Sequence, residues 1–107
     1  MGIEYWHDTS AKSSVERWLD KLTKEQFKSI AKELKLLEIS GNELKLPHSG
    51  ALGKGLFELR ERRYGYRIYY GFYQTQIILL SAGDKATQKN DIKVARERLA
   101  KLKVKEV

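Results

Sequence analysis

The chain has 107 residues, of which 41% are hydrophobic and 33% are charged, and it contains no cysteine. This composition fits one globular domain spanning residues 1–107 and excludes disulfides and thiolate chemistry. No apolar run approaches the roughly 20 residues that a membrane-spanning helix needs, and residues 1–5 lack the basic and apolar stretches of a signal peptide. We therefore expect a cytoplasmic protein that does not contact a membrane.

The net charge of +7 lies in the second half of the chain. Residues 1–44 carry seven Lys or Arg and eight Asp or Glu, residues 45–83 carry six and two, and residues 84–107 carry eight and four. This asymmetry favours a polyanionic partner, and nucleic acid ahead of a membrane surface. The alternative is a basic surface that serves only solubility.

The first half predicts a short strand followed by two helices. Ile3–Trp6 is the candidate strand, and Thr23–Gln26 has the pattern of a capping box that starts the second helix. The second helix should end at residues 40–42, where Ser-Gly-Asn follows its last apolar position. Apolar residues recur at helical spacing in both segments: Val15, Trp18, Leu19 and Leu22, then Phe27, Ile30, Ala31, Leu34 and Leu37. The short break between the two helices predicts an antiparallel helical hairpin.

The second half changes to the alternation of β-strands. Three strands are predicted at Leu56–Arg62, Tyr66–Tyr73 and Gln76–Ser81, with connections short enough for antiparallel neighbours. Alternation along the middle strand places Tyr66, Ile68, Tyr70 and Phe72 on a core face, and Arg67, Tyr69 and Tyr73 on the other face. A last helix carries Ile92, Ala95, Leu99 and Leu102 at helical spacing, with Thr87 as its expected N-cap.

The element order β-α-α-β-β-β-α predicts an α+β fold. In this fold the N-terminal helical hairpin packs on an antiparallel sheet, and a C-terminal helix follows. With the helices on one face, the other face would be left open for a ligand. We expect that open face to carry Arg60 and Arg67 beside tyrosines.

Three segments resemble the RelE/ParE toxin superfamily, in particular its HigB-like and addiction-module killer proteins of the phage-derived Gp49-like kind. Leu52–Arg60 is similar to the "G-x-G-[LV]-x-E-L-R" strand of that superfamily, and Gly65–Tyr70 to its "[GP]-Y-R-[IV]-Y-[YF]" strand. Gly83–Ile92 is close to "G-D-K-x-x-Q-x-x-D-I". Each motif alone is weak, but the three occur in order and at spacings that place them on consecutive strands and a strand–helix turn.

The resemblance implies a helical hairpin on a curved antiparallel sheet and a target linked to translation. It also implies a toxin of a type II toxin–antitoxin system that is an endoribonuclease cleaving messenger RNA on the ribosome. A cognate antitoxin of the helix-turn-helix type would be its partner. Toxins of this superfamily often cleave RNA with Arg, Lys and Tyr in place of a histidine pair, so that electrostatics and substrate orientation supply the rate.

The candidate catalytic residues follow from that chemistry. Arg67 is the best phosphate clamp because guanidinium donates to two phosphate oxygens at once, and Arg60 is a second clamp on the same face. Lys85, in the turn after the last strand, is assigned charge neutralisation or protonation of the leaving oxygen. Asp84 is either a base or, as Asp more often is in such positions, a turn or cap residue. His48, in the approach to the sheet, is a candidate acid–base group or a loop residue.

Further residues are candidates for RNA contact without sequence specificity. Tyr69 is the expected stacking residue because it shares the Arg67 face. The basic candidates are Lys54, Arg62, Arg63, Lys89 and Lys93. Glu58 would repel RNA, so between Arg60 and Arg67 it would position them, although Arg67 could also be only its structural partner. Walker loops, HExxH motifs and zinc-ligand spacings are absent, so we expect no cofactor and no metal.

Two functions remain open because one fold serves both. Arg60, Arg67, Lys85 and His48 on one face would favour RNA cleavage. Loss of that basic set, with an apolar helical hairpin retained, would favour a toxin that inhibits DNA gyrase through protein contacts. A basic domain that binds RNA without toxicity is a third alternative.

Overall fold

The computed structural model describes residues 1–7 and 12–105, and it confirms the predicted α+β class. The elements in chain order are β1 (Gly2–Tyr5), α1 (Ser14–Asp20), α2 (Lys24–Ser40), a 3₁₀ turn (Gly41–Glu43), β2 (Ser49–Gly53), β3 (Leu56–Glu61), β4 (Tyr66–Tyr73), β5 (Gln76–Gly83), a second 3₁₀ turn (Lys85–Thr87) and α3 (Gln88–Lys105). Within these described residues, no helix combines the length and the apolar character needed to cross a bilayer.

Capping boxes start both N-terminal helices. The Ser13 hydroxyl accepts from the Glu16 amide at 3.1 Å, while the Glu16 carboxylate accepts from the Ser13 amide. Thr23 and Gln26 form the same reciprocal pair at α2, as predicted. The C-cap of α2 is Gly41, whose φ of 55° is accessible to glycine at low cost.

The five strands form one sheet in the order β1-β5-β4-β3-β2. β2 through β5 are antiparallel neighbours, as predicted for the strands of the second half, whereas β1 pairs with β5 in parallel. Strand β2 was not predicted because its sequence, Ser-Gly-Ala-Leu-Gly, contains none of the β-branched or aromatic residues that favour strands. It is an edge strand, held by its pairing with β3.

Helices cover both faces of the sheet. The first core, between the sheet and helices α1 and α2, is formed by Val15, Leu19, Ile30, Leu37, Leu59, Ile68, Tyr70, Ile77 and Leu79. The second core, between the sheet and α3, is formed by Leu56, Tyr69, Ile78, Leu80, Ala95 and Leu99. The predicted core face of β4 is confirmed, but the expectation that the opposite face is open was wrong. Helix α3 covers the centre of that opposite face and leaves one end of it accessible.

The junction between β5 and α3 is closely packed. A Cβ on Gly83 would overlap the Asp91 carboxylate and the Thr87 hydroxyl, so glycine is required there. Ser81 donates its hydroxyl proton to the Asp91 carbonyl at 2.6 Å. Asp84 caps the 3₁₀ turn that precedes α3, and its side chain accepts from the amides of Ala86 and Thr87. The third motif of the sequence therefore attaches α3 to the sheet.

We expect Gly83→Ala to destabilise the protein by about 1–3 kcal/mol, the usual cost of inserting a methyl group into a close-packed site. Gly2→Ala is the matched control because nothing lies within 4 Å of the Cβ that it would add. Urea denaturation measures the free energy of unfolding of both variants. Equal stability of the two would show that the junction relaxes freely.

Candidate functional site

Arg60 and Arg67 meet at the end of the sheet that α3 leaves accessible. They are direct cross-strand partners in the β3–β4 register, and strand alternation places Glu58 on the same face. Glu58 Oε1 accepts from Arg60 Nε at 2.6 Å and from Arg67 Nη1 at 2.9 Å. The Glu58 side chain is 2% exposed, whereas those of Arg60 and Arg67 are 37% and 24% exposed. We call these three residues the arginine clamp.

The carboxylate makes this arrangement possible, because two guanidinium groups side by side would otherwise repel each other. Each arginine gives one N–H to Glu58 in the bonds described, and a guanidinium has five. The remaining donors are partly in solvent and can reach the oxygens of a phosphate. Gly50 of β2 leaves room for Arg60, since an added Cβ would lie 3.1 Å from Arg60 Nη2.

Behind the clamp, the second oxygen of Glu58 accepts a long hydrogen bond of 3.4 Å from Gln88 Nε2 of α3. The Tyr69 ring is fully buried in the α3 core, so the expectation that it stacks on an RNA base was wrong. Its hydroxyl has no hydrogen-bond partner of normal geometry among the described residues, although the Gln88 side chain lies close enough to interact with it. Burial, together with the nearby negative charge of Glu58, raises the pKa of Tyr69 to about 12.

Lys85 and Asp84 lie at the same end of the sheet as the clamp. Gly83, the last residue of β5, pairs with Arg67, and the turn containing Lys85 follows immediately. Lys85 is exposed. Asp84 Oδ1 accepts from the amides of Ala86 and Thr87, so Asp84 caps this turn.

His48 does not join this group. Its Nδ1 lies 3.0 Å from Glu33 Oε2 of α2, on the side of the sheet that α2 covers, and its side chain is 35% exposed. Its carbonyl accepts from the Arg60 amide at 2.8 Å, which helps to hold the approach to β2. The pairing of His48 with Glu33 keeps it apart from the two arginines and Lys85, so the four residues do not form the single set that would have favoured RNA cleavage.

The remaining basic candidates are distributed over three places. Arg62 and Arg63 are exposed in the β3–β4 turn, where Arg63 lies over the ring of Tyr64. Buried Glu61 holds that turn by accepting from the amides of residues 63 and 64 and from the Ser29 hydroxyl. Lys54 is exposed in the β2–β3 turn, and Lys89 and Lys93 are exposed on α3.

Sequence reasoning missed Gln88, which links α3 to the clamp. The signal was the glutamine in the third motif, whose partner lies 30 residues earlier in the chain. The structure also bears on metal binding: among residues 1–7 and 12–105, no group of three or more His, Cys, Asp or Glu could hold a metal ion.

The family model described as "Phage derived protein Gp49-like (DUF891)" matches residues 17–100, which include the three clamp residues, Lys85 and Gln88. No curated protein matches the sequence.

We expect Glu58→Gln to destabilise the fold by about 2 kcal/mol, below the ~3–5 kcal/mol for breaking a fully buried ion pair, because both arginines keep contact with water. Glu97→Gln, on an exposed position of α3, is the control with the same chemical change. Chemical denaturation of both variants tests this, and a loss no larger than that of the control would contradict it.

Tyr69→Phe is expected to leave stability at pH 7 unchanged or to raise it slightly, because the buried hydroxyl that it removes has no hydrogen bond of normal geometry with a described residue. A raised tyrosine pKa means that the folded state keeps its proton while the unfolded chain loses it. The contribution of the protonated Tyr69 hydroxyl to the free energy of unfolding is therefore complete below pH 10. It declines as the pH rises from about 10 towards 12. The wild type should therefore lose more stability than Tyr69→Phe between pH 9 and 11, and identical pH profiles would refute this assignment.

Proposed function

Because the chain belongs to the Gp49-like family, a RelE-like toxin-type family, we propose that it is a ribosome-dependent endoribonuclease and the toxin of a type II toxin–antitoxin system. The observation that carries the proposal is the arginine clamp. It presents two guanidinium groups, fixed by one buried carboxylate, on a partly exposed surface. A phosphodiester is the ligand whose charge and geometry fit such a pair.

In the proposed reaction the ribose 2′-oxygen attacks the adjacent phosphorus and the bond from phosphorus to the 5′-oxygen breaks. The products are a 2′,3′-cyclic phosphate and a free 5′-hydroxyl. Negative charge increases on the non-bridging oxygens in the transition state, and Arg60 and Arg67 stabilise it there. Since Glu58 already holds both side chains, little reorganisation is required when that charge appears.

Two protons must move in this reaction. The 2′-hydroxyl loses one, and the leaving 5′-oxygen gains one. We assign the second proton, or neutralisation of the leaving oxygen, to Lys85 in the turn beside the clamp. The first passes to Asp84 or to water. Asp84 uses Oδ1 to cap the turn in the bonds described, so only Oδ2 would serve this purpose. No histidine takes part, which makes substrate orientation by the ribosome the larger contribution.

The proposed partners are the ribosome, messenger RNA and a cognate antitoxin. The toxin-type family suggests the antitoxin, and the helix-turn-helix type is our proposal from the sequence resemblance. The excess positive charge of residues 45–107 supports a nucleic-acid target, since it lies on the part of the chain that builds the clamp.

A second candidate function is inhibition of DNA gyrase by protein contact. It is favoured by two exposed apolar side chains on α2, Phe27 at 46% and Ile39 at 71% exposure. The position of His48 against α2 also removes an expected acid–base group from the clamp. We prefer RNA cleavage because the basic set of Arg60, Arg67 and Lys85 is retained at one end of the sheet.

Expression of the wild type from a tightly repressed promoter should arrest growth and create new messenger RNA 5′ ends inside translated frames. Arg67→Ala should relieve arrest and lower cleavage about 100-fold or more, the usual effect of removing one transition-state donor. Mapping of messenger RNA 5′ ends in cells that express each protein measures the cleavage.

Arg17→Ala is the matched control, because Arg17 is an exposed arginine on α1. It should arrest growth as the wild type does. Growth arrest with intact messenger RNA and with broken or over-supercoiled DNA would overturn the nuclease and support gyrase inhibition.

A further inference from the structure

One side of α3 carries basic residues along most of its length. At 3.6 residues per turn, positions 89, 93, 96 and 103 lie within an arc of about 80° around the helix axis, and the acidic residue at 97 borders that arc. The residues there are Lys89, Lys93, Arg96 and Lys103. None of the ion pairs between described residues involves them. Together with Lys54 we call this set the α3 stripe.

The stripe lies against the turn between β2 and β3. Arg96 donates to the carbonyls of Leu52 and Gly53 at 2.8 and 3.2 Å, and Lys103 donates to the carbonyl of Lys54 at 3.4 Å. These contacts bring the exposed Lys54 beside the helix. Two shallow depressions follow the stripe, of about 400 Å³ beside Lys89 and Lys93 and about 200 Å³ beside Arg96 and Lys103. Two elements thus contribute basic residues to the same side of the protein.

The basic residues on the opposite side of α3 differ in their partners. Arg98 donates to Ser14 Oγ at 2.7 Å and to the Leu80 carbonyl at 2.6 Å. Arg98 and Lys101 also lie over the ring of Trp6, at 4.6 and 5.8 Å from its centre. That side holds β1 and α1 in place. The lysine ammonium groups at 89 and 93, in contrast, have no contact with another described side chain in the hydrogen bonds and ion pairs of the structure, and both residues are exposed.

The stripe starts at the end of α3 that contacts the arginine clamp. Gln88 contacts Glu58, and Lys89 follows it directly. From Lys89 to Lys103 the helix rises about 21 Å at 1.5 Å per residue. A stacked nucleic-acid strand places one phosphate about every 3.4 Å, so the stripe spans about six phosphates.

We infer that the α3 stripe binds the sugar–phosphate backbone of the single RNA strand that leaves the arginine clamp. This inference rests on the proposed function for the identity of the strand. Lysine side chains on an exposed helix neutralise phosphates without reading bases. The stripe therefore supplies affinity and direction to the strand, and the clamp engages the phosphate that reacts.

The test uses the full-length chain and a fluorescently labelled, fully 2′-O-methylated single-stranded RNA, which has no 2′-hydroxyl nucleophile. Anisotropy titrations over a range of salt concentrations give the slope of log Kobs against log[salt]. In the triple variant Lys89→Gln, Lys93→Gln, Lys103→Gln, the slope should become less steep by about 2, at ~0.7 per phosphate contact for single strands. The control Lys21→Gln, Lys24→Gln, Lys28→Gln makes the same charge change on the α1–α2 side and should keep the wild-type slope.

Equal slopes for the two triple variants would overturn the inference. So would equal competition by poly-glutamate of matched charge, which would show a general attraction to anions. The failure of each proposal is distinguishable. If the α3 triple variant binds as the wild type does while Arg67→Ala abolishes cleavage, the stripe is wrong and the nuclease stands. If the triple variant loses RNA affinity but the wild type cleaves nothing, the stripe stands and the nuclease is wrong.

Discussion

The accessible end of this sheet depends on the ion pairs of one buried carboxylate. Glu58 is surrounded by protein, and its negative charge is compensated by Arg60 and Arg67. The two arginines depend on Glu58 in turn. The cross-strand register places them side by side, and they would repel each other without its negative charge. A buried ion pair is not in itself a large source of stability, since desolvation offsets most of the attraction. Here it gives two cations one fixed arrangement.

The same constraint connects α3 to the site. Gln88 reaches the second oxygen of Glu58, and Gly83, Thr87 and Asp91 fix the start of the helix against β5. A shift of α3 would therefore disturb the clamp as well as the second hydrophobic core. The buried Tyr69 hydroxyl, which makes no hydrogen bond of normal geometry with a described residue, lies in that core near Glu58. Packing and charge are coupled at this end of the protein.

Some basic residues of this protein are bound within the fold, whereas others are exposed and free to contact a ligand. Arg98 and Lys101 contact Trp6 and hold β1, whereas Lys89 and Lys93 are exposed on α3 and Lys85 is exposed at the same end of the sheet as the clamp. The net charge of +7 does not show which basic residues hold the fold together and which remain exposed for a ligand. Exposed cations next to a pair of partly exposed arginines form the surface that a polyanion would meet first, which links the proposed reaction to the proposed path of its substrate.

The sequence by itself determined the local elements, because their causes are local. Helical spacing placed Val15 and Leu19 in the core, Thr23 and Gln26 began α2, and alternation put Arg67 on the face opposite Ile68. Alternation also put Glu58 and Arg60 on the same face, and the hydrogen bonds show that Glu58 contacts both arginines there.

Only the tertiary structure decided what covers each face of the sheet and where the loops lie. Helix α3 packs on the face expected to be open, because its apolar side chains need a second core of their own. This packing buries Tyr69. Helix α2 engages His48 through Glu33, and strand β2 forms through pairing that its own residues do not favour. These outcomes depend on contacts between segments distant in the chain, which spacing along one segment does not encode.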